Sequence, residues 1–400
     1  MWLKISTKGL KAGLHKATLV LKPARQGFEL THIPFEAEIL PVDLGKVYLR
    51  NFMYTYFNNH PEHSDVLTKF LVDHGVNMIY VNGIQRYCKG YDKNGRMLPG
   101  DFSDLDKRIE RFLRCGVPAG ELGLLVFLAW DEIGFPTPSG ISKQQDEAYR
   151  AEFLKKFVKH LTGKFKLKAE NLVFYPVDEP QGSFSDPKSR NYKAAYYGQL
   201  LKKVIPECRI MVNPRKAEEA EFNEALKRFS NIFDIIQLYR PRNGKKDIDV
   251  VRKAGKSVWY YHIMEKETLP ESYRRFVWEN IRDGVDDISA FWHLDSMAGG
   301  DGFDPYDTRK GLNRTDYGAT YVDFNFNQVL SSRRYESYLQ GLYDFKTVKL
   351  CRELLKKHPD PALAKKVESI VKRAVDGTNA AMDDARQELL QIIIKLQKKK

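Results

Sequence analysis

The residues best suited to chemistry are two adjacent carboxylates, Asp178 and Glu179, followed at once by Pro180. They end the run Leu172-Val-Phe-Tyr-Pro-Val, which carries no other charge. Repulsion within the pair, together with partial burial, is expected to raise one of the two pKa values. A raised glutamate is what a general acid needs near neutral pH. Neighbouring residues of a regular strand face opposite ways, so both can address one ligand only if the strand twists or ends there. Pro180 is expected to hold Glu179 extended and to remove the next ladder donor. The competing reading is an acidic pair at a loop start, solvated or capping the following helix.

Eight short apolar runs can position this pair. They begin at Lys46, Asn77, Gly123, Asn171, Arg209, Asp234, Ser257 and Asp287. Helical patterns separate them, over 63–74, 104–115, 143–162, 189–204, 216–230, 244–254 and 270–283. Near-continuous apolar runs alternating with helices predict a parallel sheet buried on both faces. Eight units over roughly 250 residues predict an α/β fold of the (β/α)8, TIM-barrel kind. A doubly wound open sheet is the alternative, but no GxGxxG follows the first run. Residues 1–43 differ: Ala17-Thr-Leu-Val-Leu and Phe35-Glu-Ala-Glu-Ile-Leu alternate apolar and polar like half-buried strands. The expected organisation is partial β-sandwich strands over 1–43, a catalytic barrel over 44–330 and C-terminal helices over 331–400.

Barrel catalysts draw their functional residues from the carboxyl ends of the strands. The runs end in Asn82, in Trp130-Asp131, in Asp178-Glu179, in Asn213-Pro214, in Tyr239, in Tyr261-His262 and in Trp292-His293. Aromatic faces, amides and carboxylates suit a sugar, which offers apolar faces to stack on and hydroxyls to hydrogen-bond. Glycine-rich phosphate cradles, HExxH and GxSxG are missing from the sequence. Tyr239, Tyr261 and Trp292 are candidates to stack on or bond a sugar, and Asn213 to hold a hydroxyl. Trp130, Asp131 and Asn82 are candidates for the pocket lining. Only one of Tyr260 and Tyr261 is expected to face the pocket. His262 and His293 read as core histidines, Arg333 and Arg334 as helix anchors, and Gly299–Gly302 as a lid-like loop. Glu265 is the competing carboxylate, a nucleophile if the mechanism uses two acids about 5–5.5 Å apart. No trio of His, Asp and Glu has metal-ligand spacing, so neither metal nor cofactor is expected.

The 400 residues carry 65 Lys and Arg against 52 Asp and Glu, a net +13. Residues 346–400 account for +7 of it, 14 cations against 7 anions, and read as a lysine-rich solvated helical face. No RNP, helix-turn-helix or finger spacing accompanies the charge, so nucleic acid is not an expected partner. No apolar run is long enough for a membrane helix. The four cysteines are scattered, without CxxC. The first residues lack a basic segment followed by an apolar stretch. As written the chain reads as cytoplasmic, and as exported if its start lies inside a longer β-domain.

Phe174-Tyr-Pro-Val-Asp-Glu-Pro, the later Phe291-Trp-His, and Ser331-Ser-Arg-Arg-Tyr-Glu with Gly341-Leu-Tyr-Asp-Phe resemble the catalytic domain of glycoside hydrolase family 123. That family holds N-acetyl-β-galactosaminidases. The resemblance runs from about residue 10 to about residue 355 and includes a β-sandwich ahead of the barrel. It implies a retaining, substrate-assisted hydrolysis of terminal β-linked N-acetylhexosamine in an oligosaccharide or glycoconjugate. Glu179 would be the acid, and Asp178 would orient the substrate's acetamido group. Alternatives are a two-carboxylate glycosidase on a sugar without an acetamido group, a non-catalytic carbohydrate-binding protein, and a polyanion binder using the basic C-terminus.

Overall fold

In a computed structural model, the described residues are 9–22, 29–45, 47–54, 64–130, 134–216, 218–264, 268–285, 288–293, 319–323 and 327–398, with the backbone course alone for 54, 288–293 and 321–323. Eight parallel strands close into a barrel: β3 (Arg50–Tyr54), β4 (Met78–Asn82), β5 (Gly123–Phe127), β6 (Leu172–Tyr175), β7 (Arg209–Val212), β8 (Ile235–Tyr239), β9 (Ser257–His262) and β10 (Ile288–His293). They pair in chain order, and β10 returns to β3. Each falls within or against one of the eight apolar runs. The seven intervening helices match the helical patterns: α1 (Ser64–Asp73), α2 (Ser103–Arg114), α3 (Lys143–Lys164), α4 (Arg190–Val204), α5 (Glu219–Ile232), α6 (Lys245–Lys253) and α7 (Pro270–Arg282).

Strand alternation divides two apolar layers. Inside the barrel lie Phe52, Met78, Leu125, Phe127, Val173, Tyr175, Met211, Ile235, Trp259 and Tyr261. Their strand neighbours Leu124, Val126, Leu172, Phe174, Ile236, Leu238 and Tyr260 face the helices. Burial on both faces is why these strands read as continuous apolar runs. Local signals fix where helices begin. Ser142 and Gln145 form a reciprocal cap at the start of α3, and the Ser189 hydroxyl accepts the Tyr192 N–H at the start of α4.

After β10 the antiparallel pair β11 (Thr320–Asp323) and β12 (Gln328–Ser331) leads into α8 (Arg333–Lys357). This helix takes the eighth place in the ring. The Tyr335 ring stacks on Phe70 of α1 at 5.7 Å, and the Tyr338 hydroxyl donates to Asn51 Oδ1 of β3 at 2.8 Å. Gly341 lets α8 approach α7: a Cβ there would lie 2.9 Å from the Val277 Cβ. So the ring takes its last member from a segment that the sequence assigned to the C-terminal helices. Next follow α9 (Pro361–Asp376) and α10 (Asn379–Gln397). Buried Asp344 ties α8 to α7 and α10. It accepts from Arg274 Nε at 2.7 Å, from Trp278 Nε1 at 2.8 Å and from Arg386 of α10. Ahead of the barrel, β1 (Gly13–Leu21) and β2 (Thr31–Ile39) form an antiparallel hairpin that contains both alternating segments of the N-terminal region.

Candidate active site

β6 ends at Tyr175, three residues before the acid pair, and Pro176 follows as the chain leaves the sheet. Asp178 and Glu179 therefore sit on a turn at the carboxyl end of the barrel, both half-buried. The strand rule that would send them to opposite faces no longer applies. Glu179 is not extended: its φ is 42°, in the left-handed region. This corrects the expectation drawn from Pro180. The usual preference of a residue before proline is overridden by anchors on both sides. The Glu179 N–H donates to Asn213 Oδ1 at 3.1 Å, and the Arg215 N–H donates to the Pro180 carbonyl at 3.2 Å. On the adjacent strand end, Ala129 is also left-handed, at φ 53°.

Asn213 is the link between the two acids. Its Oδ1 takes the Glu179 amide, and its Nδ2 donates to Asp178 Oδ1 at 2.7 Å. Only 1% of Asn213 is exposed. The expected role in holding a substrate hydroxyl is thus replaced by another: one end of the amide is engaged by the Asp178 carboxylate and the other by the Glu179 backbone. Asn-Pro supplies this because β7 ends at Val212 and leaves the next side chain beside the β6 turn.

From β9, the Tyr261 hydroxyl donates to Glu179 Oε1 at 3.0 Å. Burial and, after it, the negative charge of Glu179 push the Tyr261 phenol well above its ordinary range, so it stays protonated and acts as a donor. Tyr239 stands beside it on β8 in register, ring centroids 5.1 Å apart and planes at 36°. Tyr260 faces the helix layer, where its hydroxyl donates to Asp283 Oδ2 at 3.2 Å. The alternation that allowed one of the two tyrosines into the barrel selects Tyr261. Strands β6, β7, β8 and β9 thus bring together Asp178, Glu179, Asn213, Tyr239 and Tyr261.

Other candidates fall elsewhere. Trp130 is 3% exposed and packs outward, edge-on to Phe135 and Tyr197, with the Arg150 guanidinium 4.8 Å from its ring. It is a core residue of the helix layer, not pocket lining, because the residues facing the interior are Phe127 and Ala129. Asn82 ends β4, exposed at the same end of the barrel, with no side-chain hydrogen bond to the acid pair among the described residues. Asp131, Glu265 and the 299–302 loop lie outside the described residues, as do the side chains of Trp292 and His293. His262 meets Phe276 edge-on at 5.5 Å, and its Nδ1 lies 2.8 Å from the Ile263 carbonyl. Burial lowers its pKa to about 4, so it is neutral at pH 7 and suits the core role. Of the two arginines at the start of α8, Arg334 is buried and Arg333 is exposed.

Sequence reading passed over two interior residues. Gln237 lies two positions before Tyr239 and is fully buried, with both amide atoms unpartnered among the described residues. Trp259, its neighbour in register on β9, likewise has an unpartnered Nε1. Their signal was parity: each is two residues before a tyrosine of the site. Phe127 and Tyr175 stack at 4.6 Å inside the barrel. Among the described residues, no three His, Cys, Asp or Glu side chains gather into a metal cluster. No helix among them is long and apolar enough to cross a membrane. A groove of about 700 Å³ between α8 and α9, lined by Phe345, Arg352 and Glu368, contains none of the site residues.

No protein-family model matches the chain, and neither does any curated protein. Solved structures similar to it include a family 39 glycoside hydrolase from Bacteroides cellulosilyticus, at TM-score 0.47 and 12% identity over 83% of this chain and 70% of that one. An endo-1,4-β-xylanase from Caldicellulosiruptor owensensis matches at TM-score 0.45 and 11% identity, over 74% and 98%. A β-xylosidase from Caulobacter crescentus matches at 0.45 and 14%, over 75% and 68%.

Proposed function

We propose that the protein is a glycoside hydrolase that removes terminal β-linked N-acetylhexosamine, N-acetylgalactosamine by the family resemblance, with retention and with the substrate's own acetamido group as nucleophile. The observation that carries this reading is the bridge made by Asn213, which ties the Asp178 carboxylate to the Glu179 backbone N–H at the mouth of the barrel. Adjacent acids fixed to one side chain suit two roles on the same side of a sugar. They do not suit the opposed carboxylates of the ordinary two-acid scheme, to which substrate-assisted enzymes are an exception.

In this mechanism the Glu179 carboxyl gives its proton to the glycosidic oxygen as the bond to the anomeric carbon breaks. The acetamido oxygen closes on that carbon, and an oxazolinium ion forms. Asp178 accepts the acetamido N–H and offsets the positive charge that develops there. Glu179, now ionised, takes a proton from water, which opens the ring with overall retention. Tyr261 steadies Glu179 by donating to Oε1, the phenol being held in its protonated form. Tyr239 supplies an aromatic face beside it.

The test is hydrolysis of p-nitrophenyl β-N-acetylgalactosaminide and of its glucosaminide counterpart by the wild type and by Glu179→Gln. The wild type is expected to cleave the former faster, and the variant to lose activity. A variant as active as the wild type refutes the role of Glu179. A thiazoline mimic of the intermediate is expected to inhibit. Absence of inhibition, or turnover of plain galactosides at an equal rate, would place the mechanism with covalent glycosyl-enzymes instead.

A further inference from the structure

We infer that the β7–β8 side of the barrel mouth is a subsite for an anionic substituent, a sulfate ester or a carboxylate, on the glycan whose terminal sugar is cleaved. This rests on the reading of Asp178 and Glu179 as the catalytic pair.

The loops after β7 and β8, with the first turn of α6, are rich in cations: Arg215 and Lys216, then Arg240, Arg242, Lys245 and Lys246. Four of these are matched by carboxylates. Lys216 lies 3.2 Å from Asp247, Arg240 3.2 Å from Glu279 and Lys245 2.9 Å from Asp249, and Lys246 pairs with Glu219. Arg215 and Arg242 are exposed, and neither guanidinium has a hydrogen bond or ion pair among the described residues. Four neighbours are neutralised, and these two arginines present uncompensated guanidinium groups at this point.

The rim is fixed to the site by the backbone. The Arg215 N–H holds the carbonyl of Pro180, the residue after Glu179, at 3.2 Å. The Arg242 N–H holds the carbonyl of Tyr239 at 3.1 Å, and Tyr239 packs on the tyrosine that bonds Glu179. The two arginines therefore start two residues after Asn213 and three after Tyr239, on adjacent loops. Neither guanidinium makes an ion pair with Asp178 or Glu179 among the described residues. Guanidinium forks match the paired oxygens of sulfate and carboxylate, and a charge-assisted pair of this kind is stronger than a neutral hydrogen bond. A neutral sugar gains nothing comparable from an exposed arginine.

Binding is measured by calorimetry on Glu179→Gln, so that turnover does not intervene. The ligands are three trisaccharides with the same terminal β-N-acetylgalactosamine: one neutral, one 6-sulfated on the next sugar, and one with a uronic acid there. Expected is binding of one or both anionic ligands about tenfold or more tighter than the neutral one. That gap should close in Arg215→Ala/Arg242→Ala and shrink with added salt, as for any charge-driven contact. A preference for only one anionic ligand identifies the source of the charge. Equal affinity for all three, or a gap that the double variant keeps, overturns the proposal. Full catalytic activity of Glu179→Gln would instead overturn the proposed function, and the charge question would then be decided by the same calorimetric comparison with S-linked trisaccharides that are not hydrolysed.

Discussion

Truncating Asn213 tests whether the acid pair is positioned by β7. Asn213→Ala removes the donor at 2.7 Å from Asp178 and the acceptor at 3.1 Å from the Glu179 amide. A hydrogen bond to an ionised group contributes about 1.5–3 kcal/mol and a neutral one about 1 kcal/mol. Together they hold the carboxylates with about 3 kcal/mol. The backbone they restrain is left-handed at Glu179, so release lets the turn relax to an extended course. At about 1.4 kcal/mol per tenfold in rate, kcat should fall roughly a hundredfold. Asn213 is buried and both ends of its amide are engaged, so KM should change by no more than about threefold. The assay is steady-state hydrolysis of the aryl N-acetylgalactosaminide, with circular dichroism to confirm folding. Asn213→Asp keeps the shape but turns the donor into an acceptor facing Asp178, and should cost at least as much. A folded Asn213→Ala enzyme with kcat within about threefold of wild type would refute the reasoning. A rise in KM alone would restore the reading of Asn213 as a substrate-hydroxyl ligand.

Tyr261→Phe removes one donor to Glu179 and keeps the ring beside Tyr239. A roughly ten- to hundredfold fall in kcat is expected with little change in melting temperature. Trp130→Ala should do the reverse. Loss of its contacts with Phe135, Tyr197 and Arg150 should cost about 3–5 kcal/mol in urea unfolding, while KM of the folded fraction stays put. His262 has a folded pKa of about 4, below its ordinary 6.5, so the unfolded chain takes up the proton first as pH falls. The stability from keeping it neutral is therefore full above pH 6.5 and is lost progressively towards pH 4. Between pH 7.5 and pH 5 the loss should be about 2 kcal/mol by urea titration, and His262→Gln should abolish that portion.

Much of this architecture was legible because a barrel strand buries both faces and its helices bury one. The two periods alternate down the chain without interruption from 46 to 283, and every helix from α1 to α7 lies where its pattern predicted. Parity within strands was legible too, as Tyr260 and Tyr261 show. Legibility failed where the strand ends. Glu179 adopts a backbone conformation its own sequence disfavours, because Asn213 and Arg215, over thirty residues later, hold the turn. A local rule about proline has no access to that contact. Trp130 was misread for a related reason. Its type suits a sugar, but its place next to inward-facing Ala129 sends it towards α3 and α4, where Arg150 and Tyr197 receive it. Helix α8 was set apart from the barrel because a long stretch separates it from β10, although its apolar face packs on α7 and α1 as an eighth helix must.

The arrangement also explains why two acids next to each other in sequence can both sit at the mouth of the barrel. On a regular strand they would diverge, and only one would reach the interior. Here β6 supplies the carboxylates, but β7 supplies the amide that orients them, and β9 the phenol that contacts one of them. Tyr239 of β8 lies in register with Tyr261 and packs its ring against it. The geometry of the pair is thus a property of barrel closure: a shift of one residue in β9 would send Tyr261 out to the helices and bring Tyr260 in. That shift would also unseat the Tyr260–Asp283 bond and the packing of His262 on Phe276. Contacts on the helix side of β9 therefore fix the register that places the hydroxyl on Glu179. Alignment of the acid pair at the mouth depends in this way on apolar packing one layer further out.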